Sequence, residues 1–264
     1  MNLRIRKLAT CAICSVMLKK TLLSWSSGKD SAWALHVLRQ ESEVEVVGLL
    51  TTVNQLYQRI AIHAVRLELL QRQAEAVGLP LHIIDLPSPC TNAQYEAAME
   101  KFIAAAKQQG IECIGFGDLF LEDIKAYREA KLSGTGITPL FPIWRTPTER
   151  LAKEMIAGGL RAVVTCINPR QLAASFAGRE FSQQFLKDLP ANVDPCGERG
   201  EFHTFAFDGP MFRKPVPIEV GEIKEREGFV YADVLFSENS HAANNAVARA
   251  DWIDAGSTQN QREL

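Results

Sequence analysis

The sequence lacks long apolar runs, a strong net charge and a dense set of cysteines. No apolar stretch approaches the roughly 18 residues of a membrane-spanning helix, so we expect no membrane segment. The chain carries 29 lysine and arginine residues against 31 aspartate and glutamate, a net charge of −2, and therefore has no chain-wide basic field for nucleic acid. With 47% hydrophobic and 23% charged residues among 264, it is neither disordered nor collagen-like. These absences leave a globular protein with one large domain, or one domain and a smaller second one.

The cysteine pattern argues against a zinc-binding protein and against a disulfide-rich secreted protein. Cys11 and Cys14 form a CxxC pair, which is half of a four-ligand zinc set, and no matching pair follows. The other four cysteines are scattered through the chain, as expected of reduced thiols in a cytoplasmic protein. We therefore expect a cytoplasmic location, without a zinc site or a disulfide framework.

The first residues have the outline of a signal peptide. A basic start is followed by a mostly apolar run over residues 8–18 and by two lysines, and signal peptides have apolar regions of this length. However, no small-x-small cleavage site follows before the strand predicted at residues 21–25. We expect residues 1–17 to be an unstructured extension, with the alternative that residues 1–16 come from an upstream start and Met17 is the true one.

The rest of the chain alternates short apolar runs with helical patterns. The pattern predicts an α/β fold with an open, mostly parallel sheet and helices on both faces. We assign a first domain to residues 18–135, a smaller α+β region to 136–237 and a flexible tail to 238–264. Strands are predicted at residues 22–25, 44–50, 81–86, 111–116, 161–166, 216–220 and 229–236. Helices are predicted at residues 29–40, 60–77, 93–109, 119–132 and 148–157.

The loop after the first strand carries the clearest chemical signal. It reads SSGKDS at residues 26–31 and leads directly into a helix. Backbone N–H groups and the positive end of a helix dipole converge at such a junction and form an anion site. Gly28 allows close approach of a phosphate, the serine hydroxyls donate hydrogen bonds, and Lys29 adds a positive charge. This loop therefore predicts phosphate binding.

The loop is not a Walker A motif, because the GxxxxGK[ST] spacing is absent and Lys29 is followed by Asp30. A carboxylate beside a polyphosphate is costly unless it contacts Mg²⁺ or caps the helix. A simple polar helix cap is the alternative interpretation of the whole loop.

SSGKDS resembles the SGGKDS loop of the PP-loop ATP pyrophosphatases, also called adenine nucleotide alpha hydrolases. Ser27 stands where glycine is more usual in that family. Later motifs resemble the diphthine–ammonia ligase family within it, over about residues 18–222. They are GFGD at 115–118, YRE at 127–129, GTG at 134–136, PLFPIW at 139–144, CGERGEFHT at 196–204 and DGP at 208–210.

This resemblance implies an enzyme that cleaves ATP between the α and β phosphates and transfers AMP to a carboxylate, after which ammonia forms an amide. It makes residues 18–135 the ATP-binding domain and 136–237 the substrate region. The implied acceptor is diphthine on elongation factor 2, or a small metabolite. The residues implied to bind ATP are Ser26, Ser27, Gly28, Lys29, Asp30, Ser31, Thr51, Thr52, His63, Arg66, Gly117 and Asp118.

Two groups of acidic residues are candidates for Mg²⁺ or for catalysis. Asp30 and Asp118 are the candidate Mg²⁺ ligands, although Asp118 is equally well explained as the N-cap of the helix predicted from residue 119. Glu198, Glu201 and His203 lie in a predicted irregular, glycine-rich loop, where they can position ammonia or Mg²⁺. His203 is expected to titrate near neutrality and so to accept a proton. With Lys29 and Asp30, these three are the candidate catalytic residues.

Three alternatives to diphthine–ammonia ligation stay open at this point. The acceptor can be tRNA, against which the near-neutral charge and the lack of an appended basic domain argue. It can be a small metabolite, which the sequence does not distinguish from diphthine. The protein can also bind ATP or AMP without turnover.

Overall fold

The computed structural model describes residues 17–54, 65–87 and 89–237. In its first part, helices and strands alternate along the chain. The elements are β1 (Lys19–Ser24), α1 (Lys29–Leu38), β2 (Val44–Asn54), α2 (Leu67–Val77), β3 (Leu81–Leu86), α3 (Asn92–Gln108), β4 (Cys113–Gly115), α4 (Glu122–Leu132) and β5 (Thr138–Leu140).

The second part contains more strand and less helix. Its elements are α5 (Thr148–Ala157), β6 (Arg161–Ile167), a 3₁₀ turn (Ala174–Phe176), α6 (Gln183–Asp188), β7 (Phe202–Asp208), β8 (Ile218–Arg226) and β9 (Phe229–Phe236).

The first five strands form one parallel sheet in the order β3-β2-β1-β4-β5. Its central strand is buried, with Leu22 and Leu23 at most 2% exposed; parallel strands covered on both faces have such apolar runs. The chain proceeds from β1 to one side and returns to place β4 on the other, so the strand order reverses between β1 and β4. Open α/β sheets bind ligands at the carboxyl ends of strands beside such a reversal. The predicted fold class is confirmed, and the loop after β1 starts at this edge.

The last four strands form a second, antiparallel sheet in the order β7-β6-β9-β8. One apolar core runs through both sheets, from Leu23 and Trp25 in the first to Phe202 and Phe205 in the second. The backbone N–H of Ala206 on β7 donates to the carbonyl of Ser27 at 2.9 Å. The second sheet therefore packs directly behind the loop after β1.

Several predicted element boundaries were wrong. Val65 and Arg66 are not helical, so α2 begins at Leu67; residues 60–64 of the predicted helix lie outside the described residues. Thr91, not Asn92, caps α3, because its hydroxyl accepts from the Gln94 N–H in a capping box. The helix predicted from residue 119 begins at Glu122, so Asp118 is not its N-cap. Strands β5 and β7 were not predicted.

Across the three described ranges, no helix is both long and apolar enough to cross a bilayer.

Candidate functional site

The loop between β1 and α1 adopts a tight turn with Ser27 in the left-handed region, at φ 72°. A non-glycine residue there costs roughly 1–2 kcal/mol, which explains why glycine is usual at this position in similar loops. The Ser27 carbonyl accepts from Ala206 N and, at 3.0 Å, from the Gln73 side-chain amide. These contacts keep the turn in the left-handed form although its residue is serine.

The hydroxyls of the loop face one another. Ser26 Oγ lies 3.2 Å from Ser31 Oγ, and Ser31 Oγ donates to the Gly28 carbonyl at 3.0 Å. The Ser27 hydroxyl is buried and has no hydrogen-bond partner among the described residues. Buried polar groups in proteins are nearly always paired, so this hydroxyl has hydrogen-bonding capacity that the described residues leave unused.

Lys29 is buried, with a side chain 2% exposed. Its ammonium donates to Asp30 Oδ2 at 2.8 Å and to the Cys196 carbonyl, and lies 5.6 and 5.4 Å from the ring centres of Phe181 and Phe202. Burial alone would lower the pKa of Lys29, but the Asp30 carboxylate and further acidic neighbours raise it above its ordinary value. Lys29 therefore stays charged and joins the loop to the second part of the chain.

Asp30 has one oxygen in use and one free. Oδ2 accepts from Lys29, whereas Oδ1 is buried and lacks a hydrogen-bond partner within the described ranges. Burial raises the pKa of this carboxyl, and Lys29 opposes the rise. Mg²⁺ is commonly held by one or two carboxylates together with substrate phosphates, so Asp30 Oδ1 fits the requirement for one such ligand.

Asp118 has a different partner. Both of its carboxylate oxygens accept from the Arg128 guanidinium, with Oδ1 at 3.0 Å from Nη2. Arg128 also stacks 4.3 Å from the centre of the Phe116 ring. No group of three or more metal-binding side chains occurs in the part of the chain that the structure describes. Asp118 would have to leave Arg128 to bind a metal.

Gly117 brings two backbone segments together. A Cβ at this position would lie 3.0 Å from both the Asp30 carbonyl carbon and the Ser31 N. The loop after β4 therefore packs directly on the first turn of α1, and only glycine fits there without displacement.

A cavity of about 330 Å³ adjoins the loop at Ser26. Its walls come from the carboxyl ends of β1, β2 and β4 and from α3 and α4, and its size is within the range of small-molecule sites. Thr51 and Thr52 line it, at the end of the sheet where the sequence predicted them. Other lining residues are Ser24, Trp25, Leu50, Tyr95, Glu96, Met99, Glu100, Ile103, Ile114, Phe116, Tyr127, Arg128, Lys131 and Leu132.

The segment before β7 is held by two buried carboxylates. Asp194 accepts from the Cys196 N–H at 2.9 Å and from the Thr148 hydroxyl at 2.7 Å. Glu201 accepts from the Asp194 and Arg199 N–H groups, both at 3.0 Å. These contacts fix the loop that presents the Cys196 carbonyl to Lys29.

Glu198 projects from this loop towards the first sheet. Its Oε1 accepts from the Leu119 N–H at 2.8 Å. Burial raises the pKa of Glu198 to about 7; the Leu119 bond opposes the shift, and the negative charge of Asp30 adds to it. Glu198 can therefore exchange a proton near neutral pH.

His203 does not titrate as expected. It lies on strand β7, not in an irregular loop. Burial, followed by the positive charge of Lys29, lowers the pKa of His203 to about 4. The prediction of titration near neutrality is wrong, and the imidazole is neutral at pH 7.

Arg66 lies apart from the loop. Its guanidinium forms a bidentate pair with Asp233 on β9, with Nε 3.3 Å from Oδ1. It does not line the cavity. His63, predicted beside it, lies outside the described residues.

Sequence reasoning missed three residues that hold the loop in place. Gln73 bonds to the Ser27 carbonyl, Thr204 Oγ1 accepts from the Lys29 N–H at 3.1 Å, and Asp194 orders the loop before β7. Thr204 belongs to the CGERGEFHT motif, so the sequence did indicate that this segment is functional. Gln73 is one glutamine in a helix rich in polar residues, so nothing in the sequence distinguished it from its neighbours.

An open parallel α/β sheet with a loop leading from its central strand into a helix is typical of nucleotide-binding proteins. The SSGKDS sequence of that loop places the protein in the PP-loop class among them. Two family comparisons refine this class. Residues 19–137 match the diphthamide synthase N-terminal domain, and residues 147–235 match the diphthamide synthase C-terminal domain. Together these cover most of the chain, which therefore belongs to the diphthamide synthase family.

Named relatives agree with this membership. The chain is 24% identical over 237 residues to the diphthine–ammonia ligases of Bos taurus and Homo sapiens, covering 80% of this chain and 87% of each relative. It is 27% identical over 199 residues to that of Danio rerio, covering 69% of this chain and 75% of the relative. The predicted resemblance is confirmed.

Proposed function

We propose that this protein is an ATP-dependent, AMP-forming ligase that adenylates a carboxylate and transfers ammonia to it. The observation that carries the proposal is the junction of the SSGKDS loop with the cavity at Ser26. The family membership and the relatives, all named diphthine–ammonia ligases, support it. They do not favour the tRNA acceptor or a protein without turnover.

The chemistry requires activation of the acceptor. A carboxylate does not react with ammonia at neutral pH, because its oxygen is a poor leaving group. In the first step a carboxylate oxygen attacks the α-phosphorus of ATP, and pyrophosphate leaves. In the second step the ammonia nitrogen attacks the acyl carbon, AMP leaves, and the nitrogen loses a proton to give the amide.

We assign the loop to the outer phosphates. Ser26, Ser27, Gly28 and Ser31 supply hydroxyl and backbone donors, and preset donors stabilise charge as it builds on the departing pyrophosphate. Lys29 contributes its charge from within the protein, because its ammonium is already held by Asp30 and Cys196. Thr51 and Thr52 would then border the adenosine in the cavity, and Gly117 keeps the β4 loop against this site.

Mg²⁺ would reach the site through Asp30, whose Oδ1 is free among the described residues. When bound, the ion would neutralise part of the negative charge of the phosphates. We assign Asp118 to holding Arg128 at the cavity; it would act as the second Mg²⁺ ligand only after releasing Arg128.

Glu198, Glu201 and His203, on the second part of the chain, would act on ammonia and the acceptor. Glu198 would accept the proton of the attacking nitrogen, consistent with its pKa of about 7. Glu201 would act by holding the loop that carries Glu198, since both of its oxygens bind backbone amides. His203 would take part as a neutral imidazole. Residues 18–135 thus form the ATP-binding domain, and 136–237 the substrate region.

The acceptor we favour is diphthine on elongation factor 2, because the relatives are named for diphthine; a small carboxylic acid is the alternative. We place the reaction in the cytoplasm, where the four free cysteines of the described ranges would stay reduced.

Separation of nucleotide products tests the proposal. The protein is incubated with ATP, Mg²⁺ and ammonium, with either diphthine-bearing elongation factor 2 or a set of small carboxylic acids. We expect AMP and pyrophosphate in equal amounts and only with an acceptor present. Formation of ADP, or no nucleotide product with any acceptor, would contradict it.

A further inference from the structure

Gln73 is a fully buried amide next to the phosphate-binding loop. It lies on α2, is 0% exposed and sits among the apolar residues Leu69, Leu70 and Ala74. A primary amide in such surroundings is unfavourable unless its donors and acceptor are all paired. Its presence there calls for an explanation beyond packing.

All the hydrogen-bonding groups of this amide are used by segments around the loop. Gln73 Oε1 accepts from the Trp25 indole N–H at 2.8 Å, and Nε2 donates to the Ser27 carbonyl at 3.0 Å and to the Ala206 carbonyl at 2.6 Å. Gln73 therefore joins the cavity wall, the loop and strand β7 through one side chain.

The bond to the Ser27 carbonyl fixes one peptide unit. The C=O of Ser27 and the N–H of Gly28 belong to the same trans peptide, so they point in opposite directions. With the carbonyl held towards α2 and β7 by Gln73 and Ala206, the Gly28 N–H is turned away from the core. It meets the Ser26 hydroxyl at 3.4 Å, a long contact that an anion can replace.

The left-handed conformation of Ser27 depends on the hydrogen bonds that hold its carbonyl. Ser27 is at φ 72°, where a serine is strained and an extended backbone would be more stable for the isolated turn. Relaxation of Ser27 would rotate the same peptide unit and withdraw the Gly28 N–H from the anion site.

We propose that Gln73 is a positioning residue for phosphate binding, which holds the Ser27–Gly28 peptide so that the Gly28 N–H faces the outer phosphates of ATP. The inference rests on the proposed function, because it takes the loop to bind these phosphates. AMP lacks the outer two phosphates, so its binding does not depend on this peptide.

Nucleotide titrations of Gln73→Met test the proposal. This substitution keeps the length of the side chain and removes both donors, and we expect at least a 10-fold rise in the Kd for ATP and for pyrophosphate, with the Kd for AMP changed less than 2-fold. Gln71→Met is the matched control: the same substitution at an exposed position of α2, expected to change none of the three. Equal weakening of ATP and AMP would overturn the positioning role, whereas a wild-type protein that binds no ATP would overturn the proposed function.

A second measurement needs no variant. In ¹⁵N-labelled wild-type protein titrated with pyrophosphate, we expect the Gly28 amide resonance to shift among the most strongly in the chain. If other loop amides shift and that of Gly28 does not, the inference is wrong, even where Gln73→Met fails to fold.

Discussion

The two sheets of the molecule contribute to the site in different ways. The parallel sheet supplies backbone geometry: the turn after β1, the start of α1 and the close approach of Gly117. The antiparallel part supplies partners for that geometry, namely the Cys196 carbonyl for Lys29, Thr204 for the first N–H of α1 and Ala206 for the turn. The loop to which we assign phosphate binding is thus formed by one half of the chain and held by the other.

Lys29 contacts both halves and is the ion-pair partner of Asp30, so we expect its removal to have the largest effect. Lys29→Ala leaves the Asp30 carboxylate buried without its partner, which costs about 3 kcal/mol of unfolding free energy. We also expect a loss of pyrophosphate release of roughly 100-fold or more, as for removal of a preset charge-stabilising group.

Pyrophosphate assays and thermal unfolding measure the two effects of Lys29→Ala. Lys153→Ala is the control, since its pair with Glu149 lies at the surface, and surface ion pairs contribute little to stability. Unchanged pyrophosphate release in Lys29→Ala would remove the loop from the reaction.

Substitution of Glu201 tests whether the segment before β7 has to be held in place for the antiparallel half to support the site. In Glu201→Gln one carboxylate oxygen becomes an NH₂ facing a backbone N–H, and we expect a loss of about 2 kcal/mol in stability. Denaturant unfolding measures this loss, with the exposed Glu219→Gln as control. Full stability with abolished activity would instead place Glu201 in direct contact with the reactants.

Glu198 gives a pH-dependent effect of intermediate size. The raised pKa means that the folded state favours the protonated carboxyl, so the stability this gives is present at low pH and is lost as pH rises through about 7. Glu198→Gln mimics the protonated form at every pH. We expect it to match the wild-type melting temperature at pH 4, below the ordinary glutamate pKa of 4.5, and to exceed it by roughly 3 °C at pH 8.

Activity provides the second readout for Glu198. The wild-type rate of amide formation should rise with pH through about 7, and the variant should lose that rise. An identical melting difference at pH 4 and pH 8 would show that Glu198 does not titrate in this range.

Arg66 should give the smallest effect. Its partly exposed pair with Asp233 joins the start of α2 to β9, and such pairs contribute about 1 kcal/mol or less. We expect Arg66→Ala to change the KM for ATP less than 2-fold in steady-state assays. A larger rise would place Arg66 at the nucleotide, as the sequence resemblance implied.

Four of the five strands of the parallel half could be predicted from sequence, because each is a short apolar run followed by a helical pattern. The three-residue strand β5 (Thr138–Leu140) was missed. The antiparallel half was harder to predict. Strand β7 (Phe202–Asp208) follows a glycine-rich segment and contains His203 and Thr204, so its polar residues and neighbours are typical of a loop. Its strand structure comes from pairing with β6, which is a long-range contact.

The site could be located but not fully described. The SSGKDS loop, Thr51 and Thr52 lie at the predicted edge of the sheet. The protonation of His203 and Glu198 could not be predicted, because burial and the nearby charges of Lys29 and Asp30 depend on the packing of the two halves. Gln73 and Asp194 were missed for the same reason.

The separation of Lys29 and Thr204 by 175 positions in the chain has a consequence for synthesis. A growing polypeptide on the ribosome makes the turn early, but the residues that brace it emerge only after most of the chain has been translated. We therefore expect a chain terminated before Thr204 to lack the contacts that hold the turn, even though it contains the whole loop.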